Sequence, residues 1–349
     1  PMKTFVYSLA ALSTISFLAG CGSDSGTAEP VEMGAFSLSV SDAPVDDASK
    51  VVLGFEDVVL IPVNPESGNS TGEPIHMKVT DDGSLQQVDL MQYQGSAAET
   101  IISERQIPAG DYAMCVYVKD GKYLNDTSTS YVEKINGNVV GLVVPSQGSC
   151  FGYKPESNEQ GRLKFSQKGE YVTIHTGHNR YVVEFDLRKG LADPNGHDYM
   201  LMNSNAVSLV NADLAGHIRG EVSPVQYQAC EADSAALNAI NDVDAVHAVY
   251  LYAGIMDRTS MGDIGNDDPE KVEPVAVANV KDSQNTDELE YEFGYVGPGS
   301  YTIGYTCTAY SDLPDTHETL EDGFMIYQHY TPVEVSAGET TLQNIDPIL

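Results

Sequence analysis

Apolar and polar positions alternate with a period of two along most of this chain, the signature of half-buried strands. In Asp111–Val118 the alternation puts Tyr112, Met114, Val116 and Val118 on one face. In Leu289–Tyr295 it puts Tyr291, Phe293 and Tyr295 on one face and Glu290 and Glu292 on the other. Tyr301, Ile303, Tyr305 and Cys307 form a third such set after the turn Gly297-Pro298-Gly299, and His217–Val222 a fourth. Lys50–Val63 and Ala245–Ala253 are richer in Val, Leu and Ile and read as more deeply buried strands. Glu170–Thr176 and Arg180–Leu187 flank Gly177-His178-Asn179, which predicts a hairpin. Helix signals are sparse. Ser234–Ile240 follows Asp233, a good N-cap, and predicts two short turns; another short turn is expected near Leu90–Tyr93. Short strands separated by Gly/Pro turns predict an all-β chain, with two antiparallel β-sandwich domains over 34–212 and 213–349.

The N-terminus departs from this pattern. Lys3 precedes an apolar run, Phe5–Ala19, that is too short to span a bilayer and reads as a secretory signal over 1–20. Residues 21–33 are rich in Gly, Ser, Asp, Glu and Pro and read as a flexible tether. Leu18-Ala19-Gly20-Cys21 resembles the lipobox of bacterial lipoproteins. The resemblance implies cleavage before Cys21, lipidation of that residue, and attachment to the membrane through it. Gly22 and Ser23 after the cysteine point to the bacterial outer membrane, on its periplasmic face or at the cell surface.

Charge narrows the partners. The chain carries 51 acidic and 18 basic residues, a formal net charge of −33. Such a surface repels nucleic acid and anionic head groups, favours cations, and suits saline surroundings. The excess is concentrated beyond Ala215, where 24 carboxylates face 4 basic residues.

Export permits disulfides. Cys115 and Cys150 fall in the first domain, Cys230 and Cys307 in the second; three pairings are open, and one bridge per domain is the economical choice. Gly68-Asn69-Ser70-Thr71-Gly72 has the spacing of a nucleophile elbow, but it lies in a loop with no helix after it. His175, His178 and His197 are zinc candidates only if a strand end and a turn converge; solvent exposure is the expectation. Two acidic loops are better cation candidates. Asp42, Asp46 and Asp47 surround Ala43-Pro44, where Asp42 has an Asx turn as its alternative role. Asp263, Asp267 and Asp268 surround Gly265; calcium, which takes six to eight oxygens, is the cofactor such a loop would bind. Tyr327, His329 and Tyr330 are candidates for an aromatic platform, with core packing as the plainer reading.

Two family resemblances follow from these stretches. Ser37–Leu53, with Ser41-Asp42-Ala43-Pro44, followed by Phe55-Glu56-Asp57-Val58-Val59, Ile107-Pro108-Ala109-Gly110-Asp111-Tyr112 and Val183-Glu184-Phe185-Asp186-Leu187, resembles the bacterial domain-of-unknown-function family numbered 4382. The likeness covers about Gly34–Leu209. The stretch Gln147–Gln160 is longer than that family's pattern and contains Cys150. Residues 216–349 are similar to carboxypeptidase-regulatory-like, transthyretin-type sandwiches, through Ile218–Val222, Gly297–Ile303 and Val333–Glu339. Neither resemblance implies an activity. Together they imply a non-enzymatic, lipid-anchored envelope protein that binds polysaccharide or another envelope component. The alternatives are a structural spacer or assembly accessory, and a calcium-stabilised surface adhesin.

Overall fold

The strand Met33–Ala43 shows why the chain folds as sandwiches: Phe36, Leu38 and Val40 are fully buried on one side. It lies between Gly177–Asp186 and Glu99–Pro108 in a four-stranded sheet whose remaining edge is Val207–Asn211. Facing it is a ten-stranded sheet built on Ala48–Pro62 and Gly110–Lys119. Leu53, Phe55, Val58, Leu60, Met114 and Val116 of that sheet close on Phe36, Leu38, Val183 and Phe185 to form the first core. This is a computed structural model; it describes residues 30–43, 48–154, 160–167, 170–194, 196–241, 244–266, 268–282, 288–312 and 323–347.

The second sandwich pairs two four-stranded sheets. One runs Lys281–Asp282, Leu289–Val296, Gly216–Val222, Thr340–Leu342; the other Ala276–Asn279, Ala248–Ala253, Gly299–Thr306, Gln328–Val335. Ile218, Val222, Tyr291 and Phe293 meet Val249, Leu251, Ile303 and Val333 between them. Antiparallel pairs dominate, but Met33–Ala43 runs parallel to Gly177–Asp186, and Gly216–Val222 to Thr340–Leu342. Residues 32–349 form one compact unit. Among the described residues, no helix is long and apolar enough to cross a membrane.

Three local expectations are corrected. Glu170–Thr176 and Arg180–Leu187 do not form a hairpin: Val172–Ile174 pairs with Gly110–Lys119, whereas Gly177–Asp186 joins the other sheet. Asn179 builds the corner between them. Its Oδ1 accepts from the His175 amide (2.9 Å), and its Nδ2 donates to the His175 carbonyl (2.8 Å). The helix is far longer than two turns. It spans Pro224–Asn241, with Pro224 at the first position, where its missing N–H costs nothing. Its buried positions include Gln226, Cys230 and Ser234, spaced i, i+4, i+8. Two of the three are polar, so the stripe has little hydrophobic signal. Finally, Tyr295 does not continue the face of Tyr291 and Phe293. The pairing slips between Gly216 and Ile218, so Gly294 and Tyr295 bulge, with Tyr295 at φ 50°.

Both sandwiches also carry a second layer that alternation does not predict. Opposite the main core, Val59, Ile61, Ala113, Cys115 and Tyr117 are fully buried beneath Cys150, with Phe151 and Tyr153 packed beside it. The Cys115–Cys150 disulfide pins this part of the long Gln147–Gln160 stretch over the sheet, and Lys164 Nζ lies 4.7 Å from the Phe151 ring centroid. In the second sandwich, Tyr250, Tyr252, Met261, Ile264 and Phe324 form the outer layer.

Candidate functional site

Alternation on the third sheet generates a cleft. In Gly216–Val222, Ile218, Gly220 and Val222 point inward, so Arg219 and Glu221 stand outside; in Leu289–Val296, Glu290 and Glu292 do the same. Register places Arg219 opposite Glu292, Glu221 opposite Glu290, and Lys281 on the other side of Glu290. Directly opposed side chains have Cβ atoms about 5 Å apart, so this surface is a ladder of alternating charge with one like-charge rung, Glu221 and Glu290. Gln94 and Gly95 of the first sandwich form a facing wall, enclosing a cleft of about 590 Å³. Among the described residues, the Arg219 guanidinium and the Glu221 and Glu292 carboxylates have no hydrogen-bond or ion-pair partner.

The seam behind the cleft is closely fitted. A Cβ on Gly294 would lie 1.9 Å from the Gly95 carbonyl oxygen, so glycine there lets the two backbones touch. The bulged Tyr295 reaches across and donates its hydroxyl to the Ser96 carbonyl (2.9 Å). A left-handed non-glycine residue costs on the order of 1–3 kcal/mol and persists only when its surroundings fix it. Here the His217 ring does so, accepting from the Tyr295 amide at its Nδ1 (3.2 Å) and packing edge-on to the tyrosine. On the far side, Arg188 of the one-turn helix Leu187–Gly190 donates to the Asn279 side-chain oxygen (3.0 Å), and Lys189 pairs with Glu273 at 2.8 Å.

Beside this seam lies an acidic cluster. Asp42, near the end of the first strand, is 1 % exposed, and the Leu187 amide donates to its carboxylate. Burial raises its pKa well above the ordinary value, and repulsion from Glu184 and Asp186 adds to this. Burial likewise pushes Glu184 up to about 8, against a lowering hydrogen bond from Ser41. Asp42 forms an isolated parallel bridge with Gln94. The Gln94 Oε1 and Glu184 Oε2 atoms are also buried without partners among the described residues.

Other sequence candidates are dispersed. Cys21 lies outside the described residues, as do Asp46 and Asp47. Cys115 is bonded to Cys150 and Cys230 to Cys307. In the second acidic loop Asp263 is buried, Asp267 lies outside the described residues, and Asp268 is exposed, its carboxylate accepting from the Glu270 amide in a local turn. No three His, Cys, Asp or Glu side chains are grouped to hold a metal ion among the described residues. His178 is exposed beside Glu104 (3.2 Å), and His197 packs on Tyr199. Ser70 bonds its own loop at the Gly72 carbonyl. Tyr327 and Tyr330 pack against the second core, with the Tyr327 hydroxyl on Asp233.

One polar network had no sequence signal. His247, 5 % exposed, stacks on Tyr227 at 3.5 Å and bonds the Tyr305 hydroxyl through Nδ1 (2.6 Å). Burial depresses its pKa, so the neutral ring is the form the core accepts, although Glu231 pulls the other way. The network lies where the Cys230–Cys307 bridge ties the helix to the sheet, and it orders that contact.

Residues 33–203 match the profile of the family described as "Domain of unknown function (DUF4382)". No curated protein matches the chain. Among solved structures, a "putative adhesin" from Bacteroides ovatus is similar over 83 % of this chain and 83 % of its own, at 9 % identity and a TM-score of 0.15. A "putative cell adhesion protein" from Bacteroides fragilis covers 90 % and 92 %, at 9 % identity and a TM-score of 0.18. The major pilin of Streptococcus pyogenes covers 90 % and 99 %, at 10 % identity and a TM-score of 0.14. The architecture above rests on the chain's own strand pairing.

Proposed function

We propose that this chain is a non-enzymatic binding protein of the bacterial envelope, and that the cleft between its sandwiches is the ligand site. The observation that carries this reading is the cleft floor: a guanidinium, Arg219, amid the carboxylates Glu221 and Glu292, with no hydrogen-bond or ion-pair partner for any of the three among the described residues. Hydroxyl-rich ligands satisfy both kinds of group at once, since carboxylates accept from sugar hydroxyls and guanidinium donates to ring and carbonyl oxygens. Polysaccharide is therefore the ligand class. Arg219 and Lys281 face Glu221, Asp282, Glu290 and Glu292 along the lining, which favours neutral or amino-bearing glycans over polyanionic ones.

The lipobox-like Leu18–Cys21 supports attachment at the outer membrane through Cys21. A multiply acylated cysteine anchors strongly, because each buried CH₂ contributes about 0.8 kcal/mol. Cys21→Ala is expected to abolish palmitate labelling and membrane retention; retention without labelling removes the anchor.

Binding of the full chain to an array of envelope polysaccharides tests the cleft. Arg219→Ala and Glu221→Gln should each weaken binding about tenfold or more at unchanged Tm. Unchanged binding by both variants overturns the site. Release of reducing ends from the bound polysaccharide overturns the non-enzymatic part. Absence of any glycan ligand favours the spacer role, which the contact of Gly294 with Gly95 supports by locking the sandwiches together.

A further inference from the structure

One hydrogen bond at the seam between the sandwiches fixes a protonation state. The Tyr295 amide donates to His217 Nδ1 at 3.2 Å. A main-chain N–H can only donate, so Nδ1 keeps its lone pair and the ring is neutral, with its proton on Nε2. Histidine is the side chain that ordinarily changes charge between about pH 5 and 8. Protonation puts a hydrogen on Nδ1 and sets two donors face to face.

What this bond holds is mechanical. Gly294 and Tyr295 form the bulge opposite His217, where the strand pairing slips. Tyr295 is left-handed, at φ 50°, a conformation that a non-glycine residue keeps only where its surroundings fix it. The His217 ring fixes it through Nδ1 and by packing edge-on, with ring centroids 5.2 Å apart. The main chain of His217 is held separately: its amide donates to the Glu339 carbonyl at 2.9 Å, and Thr340 lies beside it in the parallel register. The strand therefore stays in place when the ring moves. Tyr295 in turn donates its hydroxyl to the Ser96 carbonyl of the first sandwich at 2.9 Å, next to the contact of Gly294 with Gly95.

Charged groups surround this pair. Arg219 lies two residues along the same strand, opposite Glu292. Glu339 precedes the edge strand Thr340–Leu342. Glu292 acts on the Tyr295 hydroxyl, as do Glu184 and Arg180 of the first sandwich, and Arg180 is paired with Asp213 at 2.6 Å. The carboxylates favour a charged ring and the guanidiniums oppose it. These groups bias when the ring charges; the Tyr295 amide decides what happens when it does. We infer that His217 is a pH-sensitive clasp between the sandwiches: neutral, it holds Tyr295 on Ser96, and protonated, it releases the bulge and loosens the seam. Gln94 and Gly95 of the cleft wall directly precede Ser96, so release acts on that wall as well. The inference is independent of what the cleft binds.

Hydrogen–deuterium exchange of the full chain, read by mass spectrometry and corrected for the intrinsic pH dependence of amide exchange, tests it. From about pH 7.5 to about pH 5.5, across the histidine range, protection of the segments containing Tyr295 and Ser96 should fall about tenfold, the effect of losing one hydrogen bond. His217→Asn places an amide oxygen where Nδ1 lies, accepts the same bond and does not titrate, so it should stay protected throughout. His217→Phe keeps a ring but no acceptor, and should be loosened at both ends of the range. Asp312 and Glu184, with pKa values of about 6 and about 8, are present in parent and variants alike, so the comparison isolates His217. Protection that does not change with pH in the parent overturns the clasp. So does an equal fall in His217→Asn. Where one variant fails to fold the other still decides, because a pH-dependent fall that persists in either overturns it.

Discussion

Arg188 Nη1 donates to the Ala309 carbonyl at 3.2 Å, so a buried cation of the first sandwich is held by the main chain of the second. Arg188→Met should uncouple the two. Losing hydrogen bonds to a buried charged donor costs roughly 2–4 kcal/mol, because the abandoned carbonyl and amide are left unpaired. Calorimetry should show one transition in the parent and two in the variant. A single transition at unchanged Tm refutes the coupling.

Gly294 and Gly95 set how closely the sandwiches approach. Gly294→Ala places a methyl against main chain, which has no rotamer by which to yield. Overpacking of this kind costs about 1–3 kcal/mol. Urea unfolding should show a lower midpoint, and the cleft wall formed by Gln94 and Gly95 should shift, weakening any ligand of the cleft.

The two disulfides close loops with sequence separations of 35 and 77 residues. In the chain-entropy model each stabilises by about 4 kcal/mol, slightly more for the longer loop. Cys230→Ala with Cys307→Ala should therefore lower stability more than Cys115→Ala with Cys150→Ala. The first pair should also release the helix, read as lost helical circular dichroism. The second should expose the outer layer around Tyr117, read by dye binding.

Asp312 gives a pH dependence with a definite sign. Its carboxylate accepts from the Tyr250 hydroxyl (2.6 Å) and the Ile264 amide (3.0 Å), yet burial raises its pKa to about 6. The folded state thus holds a proton that the unfolded state has already released. The stabilisation is fully present below the unfolded value near 4 and is lost as pH rises to about 6. It amounts to on the order of 3 kcal/mol. Asp312→Asn should flatten the stability profile over this window. An unchanged slope between parent and variant refutes the assignment.

Much of the fold was legible because alternation is a local property. Met114, Val116 and Val118 had to share a face whatever they packed against, and Ile303 and Tyr305 likewise. The helix Pro224–Asn241 was mostly hidden, because Gln226 and Ser234 are buried through polar contacts and a neighbouring disulfide instead of apolar bulk. The hairpin expected around His178 failed because a turn motif specifies a reversal and not which sheet receives the next strand. Asp42 stood out as one of three acids near a proline, but nothing local announced Glu184 or Gln94. The former comes from a strand about 140 residues away and the latter from a loop beyond three intervening strands.

What the sequence determined by itself was the strand class, the negative charge, the lipobox-like segment at Cys21, and the assignment of two cysteines to each half. These depend on residue type and near-neighbour spacing. Tertiary structure alone decided that Arg219 faces Glu292, that Gly294 touches Gly95, and that Asp42 is buried near Glu184 and Asp186. Each depends on strand register, or on the fit of one sandwich against the other. Register is fixed by the combined burial of whole faces, a sum over both sheets that no short stretch of sequence contains.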